Sequence, residues 1–382
     1  MDVRRWGPDN QTLPNMQCLL IGLRPMPAER EAVELRTKMW QQVTDIDGLP
    51  VQWVSFSTAQ DEDRSPTLLL SLLTEATADN VIKVATELIA GEYSCELWGS
   101  APAILPLKPC EGYEHLLIRS KSDLAPFEDW AYSTIKQWGL FVQNNLLTAD
   151  EVEQLRHYVL QEIDNAESLL KLHRPRIKIG KDLMAFKEIA SRGNERFDLL
   201  LEPSSLGCQF VYNFIIKRIS HVLERIIGLV DKEVDCDVSV VYSKPGAPNQ
   251  GWHADGDHQK GSNDAGWDED GWKTRLSDPY ALCLFIPLID LDDNTGYTQF
   301  WPASHRNKGL MGFGPLAEIV DATWNGKCEA GQAIWYDYRL MHRGIRNSSC
   351  TLRPVLQVLV KHKWYIERRN YGDESIMSLE TS

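Results

Sequence analysis

Val238-Ser-Val-Val-Tyr-Ser-Lys-Pro-Gly-Ala-Pro-Asn-Gln-Gly-Trp-His-Ala-Asp255 is the stretch on which the fold of this 382-residue chain turns. Val238 to Tyr242 is β-branched and aromatic around one serine, which reads as a strand. Lys244 to Asn249 holds two prolines and a glycine and reads as a turn. Gln250-Gly-Trp-His253 then returns to extended backbone. In an extended chain the side chains at i and i+2 point to one face. His253 and Asp255 therefore project together, at a strand edge beside loops, where sites are commonly built. Further strand-like runs follow at Tyr280–Leu288, Gln332–Tyr336 and Val355–Val360, separated by Gly, Pro, Asn and Asp. Short strands at this spacing predict a barrel or sandwich.

Working upstream, the pattern becomes helical. Gln209 to Ile227 predicts one long helix. Thr148-Ala-Asp-Glu151 is a capping box, with Thr148 as N-cap and Glu151 three residues on, opening a helix to about Leu170. Gly139 to Val142 predicts a short strand and Pro126 to Trp138 a helix. Residues 99–125 are rich in proline and short apolar clusters and read as a linker. Before them, strands are expected at Gln17–Leu23, Val51–Ser57, Thr67–Leu73 and Tyr93–Trp98, with helices at Pro27–Thr44 and Thr77–Ala90. The order β-α-β-β-α-β suggests a small ferredoxin-like unit. The expected fold class is α+β. Residues 1–110 form an accessory α/β domain, 111–129 a linker and 130–382 the strand-rich domain with its packing helices.

Hydrophobic residues make up 43% of the chain and charged residues 25%, ordinary values for a globular protein. The net charge of −14 argues against a generally basic nucleic-acid surface. The start, Met-Asp-Val-Arg-Arg-Trp-Gly-Pro, lacks the apolar run of a signal peptide. No stretch approaches the ~18 apolar residues of a membrane span. The eight cysteines are scattered and include no Cys-x-x-Cys pair, which points to reduced thiols rather than a disulfide frame or zinc site. A cytoplasmic setting is the expectation, without membrane association. The sequence leaves the oligomeric state open.

Within the strand-rich part, His342 ends the run Ile334-Trp-Tyr-Asp-Tyr-Arg-Leu-Met-His342, and Arg353 follows eleven residues later. Two histidines and one carboxylate on one face of an iron(II) ion leave three positions open for a co-substrate and O₂. An arginine entering a buried strand is costly unless it meets an anion, and its planar fork pairs two-to-two with a carboxylate. Each residue has a plainer reading. His253 and Asp255 fit a surface histidine and a turn aspartate. His342 fits a strand-end histidine bonded to backbone. Arg353 fits an exposed arginine before a strand.

The ordered set resembles the phytanoyl-CoA dioxygenase (PhyH) family of Fe(II)/2-oxoglutarate-dependent oxygenases. It comprises His253-Ala-Asp255, Asp292-Asp-Asn-Thr-Gly-Tyr297 and Trp301-Pro-Ala-Ser-His305-Arg306. It continues with Gly331-Gln-Ala-Ile-Trp-Tyr-Asp-Tyr-Arg-Leu-Met-His342-Arg-Gly, Asn347-Ser and Arg353, so the resemblance spans about 130 to 365. It departs from the family where Ala303 replaces a glycine, where Thr295 lengthens a turn by one residue, and at Gly344. Some members carry there a serine that helps hold 2-oxoglutarate. The resemblance implies a double-stranded β-helix (jelly-roll or cupin-like), with Fe(II) held by His253, Asp255 and His342. Arg353 would pair with the far carboxylate of 2-oxoglutarate, and O₂ would take the last position. Ascorbate is the candidate reductant. Decarboxylation to succinate would drive hydrogen abstraction from the substrate. The intact aspartate implies an oxygenase rather than a halogenase.

The expected substrate is a small organic molecule, oxidised by hydroxylation or a related C–H oxidation, with secondary metabolism as the leading setting. The alternatives are hydroxylation of an acyl-CoA or lipid, and modification of a protein or nucleic acid recognised by the N-terminal domain. Tyr242, Trp252 and Gln299 are candidates for fixing the histidine rings, with packing as their plainer role. The acidic, tryptophan-bearing segment 255–270, with His258, Trp267 and nearby Trp272, reads as a solvated loop or a lid over the site. Arg174, Arg176, Lys178, Lys181, Arg192 and Arg196 read as a basic patch. A solvated face is its first reading, and an anion site on the substrate its second.

Overall fold

In a computed structural model of the chain, the described residues are 17–24, 51–60, 66–74, 83, 94–102, 117–119, 125–228, 234–256, 279–306, 310, 314–319, 322–365, 367 and 371–378. They group into two compact units.

The first unit carries β1 (Gln17–Arg24), β2 (Val51–Gln60), β3 (Pro66–Thr74) and β4 (Ser94–Pro102). The sequence places strands at all four positions. They pair antiparallel in the order β2-β3-β1-β4. The connections from β1 to β2 and from β3 to β4 each pass over one strand, as a β-α-β-β-α-β succession requires. The helices expected at 27–44 and 77–90 lie outside the described residues, apart from the helical Lys83.

In the second unit, α1 (Phe127–Trp138) ends on Gly139, whose left-handed φ of 78° turns the chain directly into β5 (Leu140–Gln143). The helix α2 (Ala149–His173) opens on the expected capping box. Glu151 N–H donates to Thr148 Oγ1 at 3.3 Å, and Thr148 N–H donates to Glu151 Oε2 at 2.9 Å. Thr148→Ala should cost about 1 kcal/mol of stability in denaturant unfolding, because it leaves an end donor without its side-chain acceptor. Its apolar stripe, Val152, Leu155, Val159, Ile163, Ala166 and Leu170, repeats every three or four residues and is buried.

Two strands follow that the sequence reading missed, β6 (Ile189–Ser191) and β7 (Arg196–Leu200). The single helix expected from Gln209 is instead α3 (Leu206–Phe210), capped by Ser205, then a π-helical turn (Val211–Ile215), then α4 (Ile216–Ile227). After β8 (Val234–Ser243) come β9 (Ala281–Pro287), β10 (Thr298–Phe300), β11 (Trp324–Gly326), β12 (Ala333–Asp337), β13 (His342–Gly344) and β14 (Arg353–His362).

All these strands pair antiparallel, in a seven-stranded sheet β5-β12-β9-β14-β8-β7-β6 and a three-stranded sheet β11-β10-β13. Residue alternation assigns the two faces of the larger sheet. Leu282, Leu284, Ile286, Leu356, Val358, Val360, Ala333 and Trp335 join the core formed with α2 and α4. Ala281, Cys283, Phe285, Val355, Leu359, Ile334 and Tyr336 join a second core with Phe300 and Trp324 of the smaller sheet. Tyr336 packs between the two sheets, its ring 5.0 Å from Phe285 and 5.3 Å from Phe300. Both faces being covered explains why β9 and β14 read as unbroken apolar runs rather than alternating ones.

Candidate metal and anion site

The site lies on this inter-sheet face. His253 and His342 exchange both backbone hydrogen bonds: His253 N–H donates to His342 O at 2.9 Å, and His342 N–H donates to His253 O at 2.7 Å. They are thus directly opposite in an antiparallel ladder, which sets their side chains next to each other, with ring centroids 4.5 Å apart. Segment 250–253 extends the smaller sheet beyond β13, since Gln250 N–H also donates to Gly344 O. Asp255 brings its carboxylate oxygens to 3.7 Å from His253 Nε2 and 3.6 Å from His342 Nε2. One ligand atom from each residue lies within 4.8 Å of the others. The structure therefore brings together all three residues singled out in the sequence.

The histidine rings are aimed by backbone. His253 Nδ1 lies 2.9 Å from Gly251 O, and His342 Nδ1 lies 2.9 Å from Leu340 O. A carbonyl only accepts, so each Nδ1 carries the proton and each Nε2 presents its lone pair inward. Partial burial, reinforced by the His342 ring, pushes the His253 pKa down, which favours the neutral, ligating form at neutral pH. Tyr336 donates its hydroxyl to Asp255 Oδ2 at 3.1 Å. Burial, with Cys283 and Asp255 alongside, holds the Tyr336 pKa well above its usual value, so it stays a donor. Tyr242, a sequence candidate for this role, faces α2 instead and donates to Glu167. Gln299 accepts from Arg343, whose guanidinium lies over Trp252.

The turn before His342 is fixed by a buried pair. Asp337 accepts from Arg339 Nε at 2.9 Å, from Nη2 at 2.7 Å and from the Arg339 backbone N–H at 2.9 Å. Both side chains are almost fully buried.

Strand register places two arginines in one row. Arg196 of β7 and Arg353 of β14 both pair with Ser243 of β8, which lies between them. Their exposures are 1% and 4%. Both donate to a single acceptor, Ile345 O, at 3.2 and 3.0 Å. Arg196 also donates to Gln250 Oε1 and Pro248 O. Among the described residues neither forms an ion pair with a carboxylate. Burial lowers both pKa values, to about 10 for Arg196 and, with Arg196 adding to the effect, to about 9 for Arg353. Two glycines make room. A Cβ at Gly296 (φ 79°) would overlap Arg346 O and lie 2.5 Å from Arg353 Nη1, and a Cβ at Gly344 would collide with Arg196 Nη1.

The resulting pocket spans about 550 Å³, including space open to solvent. It is lined by the triad, both arginines, Gln250, Gln357, Phe285, Val241 and Val355, together with an Arg192–Asp198 pair. Arg192 and Arg196, read in the sequence as part of a basic patch, thus line the pocket. Arg174 is buried elsewhere and donates to Ser375 O. Arg196 is the residue that sequence reading undervalued. Its signal was the alternation Arg196-Phe-Asp-Leu, a strand with polar residues on one face. The segment 257–278, which holds His258, Trp267 and Trp272, lies outside the described residues.

No family model matches the chain. Similar solved structures include the non-heme alpha-ketoglutarate-dependent epimerase SnoN from nogalamycin biosynthesis, with 15% identity, 62% of this chain and 82% of that one covered, and a TM-score of 0.40. EvdO2 from Micromonospora carbonacea var. aurantiaca, complexed with 2-oxoglutarate, matches at 11% identity over 66% and 97%, TM-score 0.41. EctD from S. alaskensis, with 2-oxoglutarate and 5-hydroxyectoine, matches at 17% over 66% and 82%, TM-score 0.42. Likeness at this level assigns no activity to this chain.

Proposed function

We propose that the second unit is a PhyH-like, iron(II)- and 2-oxoglutarate-dependent oxygenase whose two sheets form a double-stranded β-helix. The observation that carries this reading is the meeting, in one pocket, of a two-imidazole, one-carboxylate ligand set and a buried guanidinium without a carboxylate partner among the described residues. The donor set fits a divalent transition metal: both imidazoles are aimed through Nε2, and the third ligand is anionic. Bound iron supplies O₂ activation and C–H oxidation, coupled to conversion of 2-oxoglutarate to succinate.

The residues of the chain position and shield. His253, Asp255 and His342 would hold the metal through two imidazoles and one carboxylate. Arg353 holds the far carboxylate of 2-oxoglutarate, and Phe285, Val241 and Val355 keep the pocket walls apolar. Tyr336 fixes the Asp255 carboxylate. Tyr336→Phe should weaken metal affinity roughly tenfold or more, as loss of such supporting partners typically does, read by anaerobic Co(II) titration.

The substrate is a small organic molecule, reaching a solvent-open pocket that combines charged groups with the apolar side chains of Phe285, Val241 and Val355. Cys208, Cys236, Cys283, Cys328 and Cys350 are free thiols, in keeping with a reducing, cytoplasmic setting. Among the described residues no helix is long and apolar enough to cross a membrane. The test is anaerobic Fe(II) titration of the full chain, followed by succinate measurement with 2-oxoglutarate, O₂, ascorbate and a metabolite extract. The expected result is one iron per chain and substrate-stimulated succinate. A chain that binds no iron sinks the reading.

A further inference from the structure

Arg196 is not needed for the ligand set, yet its surroundings are built around it. Its guanidinium occupies the space a side chain at position 344 would fill. Gln250 Oε1 accepts from both Arg196 Nη1 (2.9 Å) and Gly344 N–H (3.0 Å), which pins the guanidinium against the strand that carries His342. Arg196 shares the Ile345 carbonyl with Arg353, so two cations converge on one acceptor. Burying two like charges side by side is costly, and neutral carbonyls compensate it poorly. The hydroxyl of Ser243, between them in the same row, is fully buried and has no hydrogen-bond partner among the described residues. Of five N–H groups on each guanidinium, the hydrogen bonds engage three on Arg196 and two on Arg353. Cationic and hydrogen-bonding capacity thus remains unmet along a single row whose two arginines line the pocket.

We infer that Arg196 and Arg353 form a paired-guanidinium seat for one carboxylate, with Arg196 a second co-substrate-binding residue admitted by the absence of a side chain at Gly344. This rests on the proposed role of Arg353. A carboxylate at this row offsets one of the two positive charges and takes charge-assisted bonds from both forks, which are roughly twice as strong as neutral ones.

The test is isothermal titration of glutarate into the metal-stripped full chain. Glutarate keeps the far carboxylate but lacks the keto-acid chelator, so the seat is read apart from the metal. The wild type should bind it. Arg196→Met should weaken binding roughly ten- to a hundredfold, the cost of a lost hydrogen bond to a charged group. Gly344→Ala, whose methyl group displaces the guanidinium and the Gln250 oxygen that holds it without touching the charge, should weaken it comparably. The double variant should be no weaker than Arg196→Met alone, since both changes remove one contact. Thermal unfolding by circular dichroism confirms that each variant is folded, and if Arg196→Met fails to fold, Gly344→Ala carries the test.

Wild-type affinity in Arg196→Met, or in Gly344→Ala when it stands alone, overturns the inference. So does a wild type that does not bind glutarate. Arg353→Met separates the two ideas. If it loses glutarate while Arg196→Met does not, the seat has one arginine and the proposed function stands. If neither change matters, both fall.

Discussion

His342→Ala should abolish metal binding and succinate formation, a loss beyond a hundredfold. Even the outer partners of metal ligands typically cost ~10–100-fold, and this change removes one of the three proposed ligands. The loss would be chemical rather than structural. His342 is held in its strand by its backbone N–H and C=O, exchanged with His253, and alanine keeps both. What disappears is the buried Nε2 aimed by the Leu340 carbonyl. The residual pair, His253 and Asp255, is the more exposed part of the site, with side chains 34% and 20% accessible against 4% for His342. Anaerobic iron titration and succinate assay check the outcome. Full turnover in the variant would remove the basis for the oxygenase reading.

Asp337→Ala should be the most damaging change to stability, by about 3 kcal/mol, because it breaks the buried ion pair with Arg339 by removing one partner. The same carboxylate accepts from the Arg339 backbone N–H, so the turn that aims Leu340 O at His342 loosens with it. Chemical denaturation measures the first effect and metal affinity the second. The pair also predicts an acid limit. Burial raises the Asp337 pKa, but the Arg339 charge and hydrogen bonds outweigh it, and the value falls below the ordinary 3.8. A carboxyl group depressed on folding contributes stability above its unfolded pKa and loses it as pH falls through the folded value. The wild type should therefore weaken below about pH 4, and Asp337→Asn should flatten that dependence. An unchanged acid limb in Asp337→Asn would show that other carboxylates set it.

How much of this was legible in the sequence depends on how each feature is encoded. The α2 capping box and the strands β8, β9, β12 and β14 are written in local chemistry, and they fall where the residue pattern puts them. The three-residue strands β10, β11 and β13 are too short for any periodicity, and pairing with neighbours defines them. The strand β7 was hidden for another reason. Arg196-Phe-Asp-Leu alternates polar and apolar, and the polar face of such a strand usually meets solvent. Here that face looks into the inter-sheet pocket, and only the pairing with β8 reveals it. The aim of the two imidazoles was invisible as well, because backbone carbonyls set it and no side-chain pattern records them. Gly344 shows the reverse case. In the sequence it stands as a missing contact. In the fold the gap is occupied by a guanidinium from 148 residues upstream, a substitution across strands that local reading cannot supply.

The exchanged hydrogen bonds between His253 and His342 carry a consequence for how such a protein can diversify. The separation of the two imidazoles is set by the rung spacing of an antiparallel ladder, a constant of backbone geometry. The connections that leave this rung can therefore lengthen, shorten or change sequence without retuning the pair. Selection on those connections is free to explore new ligands while the spacing of the two imidazoles beneath them stays fixed.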